Sequence, residues 1–261
     1  MLSRPWKPLL AAIAFLTRMP VGDDALEGEG LSNAPAYFPL VGAVLGLFQG
    51  AAWYFLSPIL GAIPSALIVF ALGAWATGGL HEDGLADTAD AFGGSADRDR
   101  ALEIFKDPRI GVFGALALVF SVGLRVSLLA HLPRVMGAWA LIMAGSLARV
   151  GIVWLMVLLP HASRERSKSP GIWAPRAINA WVASVLGAVP LLAFSIHFDC
   201  LPFAALSGGL LVVTVIYFAW RSVRRLRGIV GDVLGATEQI SEIVIFASLA
   251  AWHSMITGVD F

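Results

Sequence analysis

The sequence predicts an all-α fold: a polytopic integral membrane helical bundle of about seven transmembrane helices, plus an N-terminal interfacial helix. Three observations predict it. Of 261 residues, 58% are hydrophobic and only 14% are charged, with a mean hydropathy of +0.79; a soluble domain carries roughly 25% charged residues. The charges gather in residues 1–29, 81–109, 161–176 and 221–242, leaving Arg125, Arg134, Arg149, Asp199 and Asp260 scattered. The stretches between are long enough to cross a bilayer, which takes about 20 apolar residues per helix. The composition excludes a disordered chain. Eighteen basic and eighteen acidic residues cancel, so no net positive field draws in phosphate backbones and no nucleic-acid partner is expected.

Taken in order, Arg4 and Lys7 precede an apolar run from Leu9 to Leu16 that ends at Thr17-Arg18-Met19-Pro20. No small-x-small cleavage site follows, so the run reads as a retained interfacial or half-membrane helix. Seven crossings are expected near 36–56, 64–80, 111–131, 137–159, 178–197, 203–220 and 240–257. They are apolar on all sides, as membrane helices are. The links at 57–63, 132–136 and 198–202 are short and carry Pro or Gly, as hairpin turns do. Cys200, the single cysteine, falls in one of them and excludes an intrachain disulfide. With the N-terminus inside, fifteen Lys and Arg residues lie on the cytoplasmic side and Arg134 alone on the outside, the bias that sets membrane orientation. The chain reads as one membrane-embedded domain over 1–261, with cytoplasmic loops near 81–110, 160–177 and 221–239.

Residues 77–94 carry the most chemistry. Asp83, Asp87 and Asp90 are spaced i, i+4, i+7, which puts three carboxylates on one helix face. Like charges so placed repel one another, and Mg²⁺, an oxygen-seeking ion that bridges to substrate phosphates, removes the conflict. Glu82 lies off this face, and His81 reads as an acid, a base or an interfacial hydrogen-bonding group. Gly78, Gly79 and Gly84 allow a substrate or helix to approach closely. At 97–105 a short amphipathic helix is expected to rest Leu102, Ile104 and Phe105 on the membrane. Lys106 and Arg109 flank Pro108, where a new helix is expected to start and to favour a phosphate.

Arg221, Arg224 and Arg225 share a helical face, followed by Asp232, Glu238 and Glu242. Arg125 and Arg149 stand inside spans, where a charge costs at least a few kcal/mol and marks a functional candidate. Arg149 is close to mid-span and pairs, on this reading, with an acid such as Glu242; Arg125 is nearer the outer end and snorkels. Carboxylates for Mg²⁺ and basic residues for phosphate, in a membrane setting, point to phosphoryl or nucleotidyl-type transfer. No nucleotide-binding loop or kinase signature is present, so the nucleotide belongs to the substrate.

These residues carry a resemblance. GGLHEDGLADTADAFGG at 78–94, FLTRMPV at 15–21, YFPLVGAVLG at 37–46, KDPRIGVFG at 106–114 and GDVLGA at 231–236 are similar, in order and spacing, to blocks of the cobalamin synthase (adenosylcobinamide-GDP ribazoletransferase) family. The resemblance implies the last assembly step of cobalamin. Adenosylcobinamide-GDP and α-ribazole, or its 5′-phosphate, are joined with Mg²⁺ in the bacterial inner membrane, and GMP is released. Carried over, Asp83, Asp87 and Asp90 become metal ligands, with Asp90, Asp87 and His81 as catalytic groups and Asp90 as base. Lys106 and Arg109 become pyrophosphate-binding and Asp232 supports the centre; from the charge reading above, Arg225 is a further phosphate-binding candidate, and Glu242 and Arg149 are further supporting ones. Glu238-Gln239 departs from the family's pattern and favours Glu242 over Glu238. HASRERSKSPGIWAPR at 161–176 departs as well, and no residue is carried across there.

Two rivals follow from the same features. CDP-alcohol phosphotransferases also place a DG-containing acidic run at a membrane edge, but this chain has Ala86-Asp87 where an Arg belongs. A cation transporter calls for acids within several spans, whereas the acids here cluster in the expected loops.

Overall fold

The computed structural model of the chain describes residues 6–22, 29–162, 170–173 and 175–258. Among these residues the fold is all-helical. Helix α1 (Lys7–Leu16) and the short α2 (Glu29–Asn33) lead through a 3-10 turn at Ala34–Tyr37 into α3 (Phe38–Leu60). Then come α4 (Ala62–Thr77), α5 (Leu80–Gly94), α6 (Arg98–Ile104), α7 (Val112–His131) and α8 (Arg134–Leu158). A 3-10 turn at Pro170–Trp173 precedes α9 (Ala177–His197), α10 (Leu201–Leu226) and α11 (Gly231–Thr257). Six helical stretches are long and apolar enough to cross a membrane, and α4 with α5 makes a seventh only as a pair bent by 91°. The crossing expected at 64–80 is therefore a broken one. Gly78 and Gly79, at φ 71° and 74°, take a left-handed conformation that a side chain disfavours, and they end α4.

The other boundary corrections share one cause. Helix α10 runs six residues past the expected 220 and α11 starts nine before 240, so the connection expected over 221–239 shrinks to 227–230. An apolar window finds the part of a helix that faces lipid, and both helices continue past it with residues such as Arg225 and Glu238 that face protein. Residues 81–110 are likewise mostly helical. Asp97 accepts from the Arg100 amide at 2.9 Å and caps α6. Phe105 meets Phe92 of α5 edge-on at 6.3 Å, and Leu102 and Ile104 pack on the protein core rather than the membrane. Residues 163–169 and 174 of the loop near 160–177 lie outside the described residues. Its start pairs with the α10–α11 link through Ala162 N–H to the Ile229 carbonyl and Ile229 N–H to the Pro160 carbonyl, both 2.9 Å.

Helix α8 is the axis of the bundle. Its apolar window is 78% buried, against 28% for α7 and for α10, and α3, α9, α10 and α11 pack on it. Helix α3 reaches it by small residues four apart. A Cβ on Gly42 would overlap the Gly145 carbonyl, one on Gly46 would overlap that of Leu141, and one on Gly50 would lie 2.9 Å from that of Ala138. In lipid no hydrophobic gain separates helix–helix from helix–lipid contact, so close backbone packing of this kind holds the pair. Helix α1 packs on the same core through Ala11, Ala12 and Leu16, with Phe15 stacked on Phe38 at 5.5 Å.

Gly46→Leu should lower thermal stability in detergent by about 1–3 kcal/mol or more, the cost of overpacking. Gly208→Ala on α10, where an added Cβ meets nothing within 4 Å, should leave the unfolding temperature unchanged or slightly raised.

Candidate active site

Helix α5 begins at the glycine break and carries the acidic face. The Gly79 N–H closes α4 on the Ala74 carbonyl at 2.8 Å, and the Asp83 N–H opens α5 on the Gly79 carbonyl at 2.8 Å. One turn on, α5 crosses the first turns of α11 with no side chain between them. A Cβ on Gly84 would sit 2.7 Å from the Asp232 carbonyl oxygen, and one on Gly235 would sit 3.2 Å from Gly84 Cα. That crossing brings Asp232 to the Asp83–Asp87 face, a meeting of residues far apart in the sequence. Asp83 is exposed; Asp87 and Asp232 are half-buried. Asp87 lies among the charges of Asp83, Asp232 and Asp90.

Asp90 stands apart from its neighbours in what it holds. Its two oxygens accept from Gly111 N–H at 2.7 Å and Gly114 N–H at 2.9 Å, so it caps α7 from another helix. The helix expected to start at Pro108 starts at Val112, and the Asp90 carboxylate takes the amides at its N-terminus. Both glycines are needed, since a Cβ on either would overlap the Asp90 carboxylate.

The three expected phosphate-binding residues separate. Lys106 is exposed. Arg109 is exposed but turned back on Asp107 with bonds of 2.9 and 2.7 Å, which hold the Asp107 carboxyl down at about 2. Arg225 donates to the carbonyls of Phe92 and Ser95, at 2.9 Å for Phe92. With Arg221 it lies over the Phe92 ring, so it closes the C-terminal end of α5.

A second polar group lies enclosed in the bundle, and the sequence reading dispersed it. Arg149 pairs with Glu238 at 2.8 Å, not with Glu242, and donates to the Gly145 carbonyl at 2.6 Å. Arg125 is 4% exposed and pairs with Glu242 at 3.1 Å rather than snorkelling. Its guanidinium lies 4.9 Å from the Phe70 ring centre and 3.8 Å from Glu82. Gln239 donates to Glu238 at 3.1 Å and to Glu82 at 3.3 Å, and accepts from Ser121. His81 is buried 3.8 Å from Glu238. Glu238, set aside at first, is thus the most enclosed acid of the group, at 1% exposed. Glu82, Arg125, Gln239 and Ser121 also belong to it. The available signal was charge inside apolar spans, hidden for Glu238 by starting α11 too late.

Asp83, Asp87 and Asp232 carry hard carboxylate oxygens, the ligand type that Mg²⁺ takes. Among the described residues no three His, Cys, Asp or Glu side chains make a preformed metal cage.

Fold and site together define a polytopic membrane protein whose carboxylates converge where a broken crossing meets the end of the bundle. Residues 8–250 match the family described as cobalamin-5-phosphate synthase (CobS). The chain belongs to that family. Proteins named adenosylcobinamide-GDP ribazoletransferase from Sinorhizobium medicae and Rhizobium meliloti are each 40% identical to it, covering 94% of this chain and 96% of their own. The Leptospira interrogans protein of that name is 33% identical over 97% of this chain and 99% of its own. No solved structure matches.

Asp90→Ala should cost about 0.5–2 kcal/mol by removing the cap of α7, read as a lower unfolding temperature in detergent. Asp83→Ala should not, because Asp83 is exposed.

Proposed function

We propose that this chain is an adenosylcobinamide-GDP ribazoletransferase that joins adenosylcobinamide-GDP to α-ribazole or its 5′-phosphate, giving adenosylcobalamin or its phosphate, and releases GMP. The observation that carries the reading is the family match over nearly the whole chain, with the Asp83–Asp87–Asp232 face inside the matched region. We propose further that the chain is one membrane-embedded unit in the bacterial inner membrane, with its N-terminus and acidic face cytoplasmic. The fifteen-to-one distribution of basic residues supports that orientation.

In this reaction a hydroxyl of α-ribazole forms a new bond to the phosphorus nearest the cobinamide. The bond from that phosphorus to the bridging oxygen breaks, and GMP leaves with the oxygen. On the proposed reading Asp83, Asp87 and Asp232 hold Mg²⁺, which when bound neutralises the pyrophosphate and stabilises the leaving nucleotide. Asp87 accepts the hydroxyl proton in place of Asp90, whose two oxygens are engaged by backbone amides. His81 is enclosed behind α5 and acts on the site only through its neighbours. Lys106 meets the phosphates, joined by Arg109 once it leaves Asp107, while Arg225 stays at the end of α5. The apolar exterior gives the protein its lipid partner.

Purified protein in detergent, given Mg²⁺, adenosylcobinamide-GDP and α-ribazole, should form adenosylcobalamin and GMP. A folded preparation that forms neither would sink the reading. Asp83→Ala should lower turnover by about 10²-fold or more, the scale of losing a group that stabilises transition-state charge, with expression and unfolding temperature unchanged. Near-normal turnover would make the acidic face structural. For orientation, a cysteine placed at Glu103 should resist a membrane-impermeant thiol reagent added from the periplasmic side and react in inverted vesicles.

A further inference from the structure

The enclosed polar group lies directly behind the catalytic face, and its composition is costly. His81, Glu82, Arg125, Arg149, Glu238, Gln239 and Glu242 line a cavity of about 20 Å³, room for a water and not for a substrate. Arg125 Nε, Arg149 Nε and one oxygen of Glu82 are buried with no hydrogen-bond partner. Breaking a buried ion pair is strongly destabilising, but replacing both partners by apolar residues is often neutral or better. Stability alone therefore does not explain two such pairs inside a membrane bundle. Their geometry does.

Three links of the network end on the first turn of α5. Glu238 reaches His81, and Gln239 and Arg125 reach Glu82. The next residue is Asp83. Arg149 comes from the central helix α8 and Arg125 from α7, whose start is bound by Asp90. Gly42 leaves the space that Arg149 fills, since a Cβ there would lie 2.6 Å from its Cδ. We infer that the Arg149–Glu238 and Arg125–Glu242 pairs are positioning groups: through His81 and Glu82 they fix the depth and rotation of α5 against α11, and so the spacing of Asp83 and Asp87 from Asp232. The role assigned to those three carboxylates rests on the function proposed above.

Glu238→Gln keeps size and removes the charge that holds Arg149. It should raise the Mg²⁺ concentration for half-maximal turnover and lower kcat, by about 10- to 100-fold in all, the range for residues that orient metal ligands. KM for α-ribazole should change little. Arg149→Lys, which keeps the charge but loses the forked geometry, should lose less than Arg149→Ala. Two readouts need no turnover. Amide hydrogen exchange over 80–94 should speed up in Glu238→Gln while α8 and α9 stay as protected as in the unaltered protein. Binding of Mn²⁺ as a probe for Mg²⁺, followed by its electron paramagnetic resonance signal, should weaken.

Unchanged exchange in α5 together with unchanged Mn²⁺ binding would overturn the inference. If Glu238→Gln loses protection throughout, Glu82→Gln, on a partly exposed side chain, becomes the deciding variant. Exchange in α5 and Mn²⁺ binding like those of the unaltered protein would then refute the proposal. A parent protein that shows these α5 effects but never forms product would fail the functional reading and leave the positioning role standing.

Discussion

The approach of α5 to α11 at Gly84 and Gly235 is the contact on which the acidic face depends. Two backbones separated by less than a side chain fix a crossing point to within a fraction of an ångström, because neither can move inward and any outward movement opens a void. Asp83 precedes Gly84, and Asp232 lies three residues before Gly235 on the facing helix. The contact therefore limits the closest approach of carboxylates that the sequence keeps some 150 positions apart, while the rotation of α5 is held from behind. The rest of the site end is arranged around it. Asp90 ties α5 to the start of α7, and Arg225 ties its far end to α10.

Much of this was legible beforehand. Long uncharged runs and clustered charges specify membrane helices because lipid leaves the backbone few alternatives. The i, i+4, i+7 aspartates specified a helix face because period alone decides that. What sequence could not supply were the partners. Arg149 could meet Glu238 or Glu242 according to where α11 begins, and hydropathy placed that start nine residues late. Arg109 and Arg225 carried the right charge for phosphate, yet one folds back on Asp107 two residues away and the other caps a helix. Spacing shows which residues share an element, and only the packed fold shows what each one faces.

The same correction changes how the acids are understood. Read as a loop residue, Glu238 argued against an ion path, and Glu242 stood only at the start of a span. In the fold they stand inside a crossing helix, but each is matched to an arginine from another helix. A transport path needs acids that can exchange partners along a channel. Here they are gathered at one level behind α5.

The glycine break has an electrostatic consequence. Three glutamates face two arginines in the enclosed group, with His81 beside them, so formal charges alone leave one negative charge uncompensated when all three are ionised. By ending α4 and starting α5 inside the bundle, Gly78 and Gly79 create a helix N-terminus at that level. Its first amides have no intrahelical acceptors, and their aligned dipoles amount to roughly half a positive charge. An unbroken crossing would have carried its dipole ends out to the two surfaces. The C-terminal end of α4, of opposite sign, stops at the same break and offsets that charge, so the kink adds little net field, and the surplus carboxylate leans on neutral donors such as Gln239, which donates to both Glu82 and Glu238.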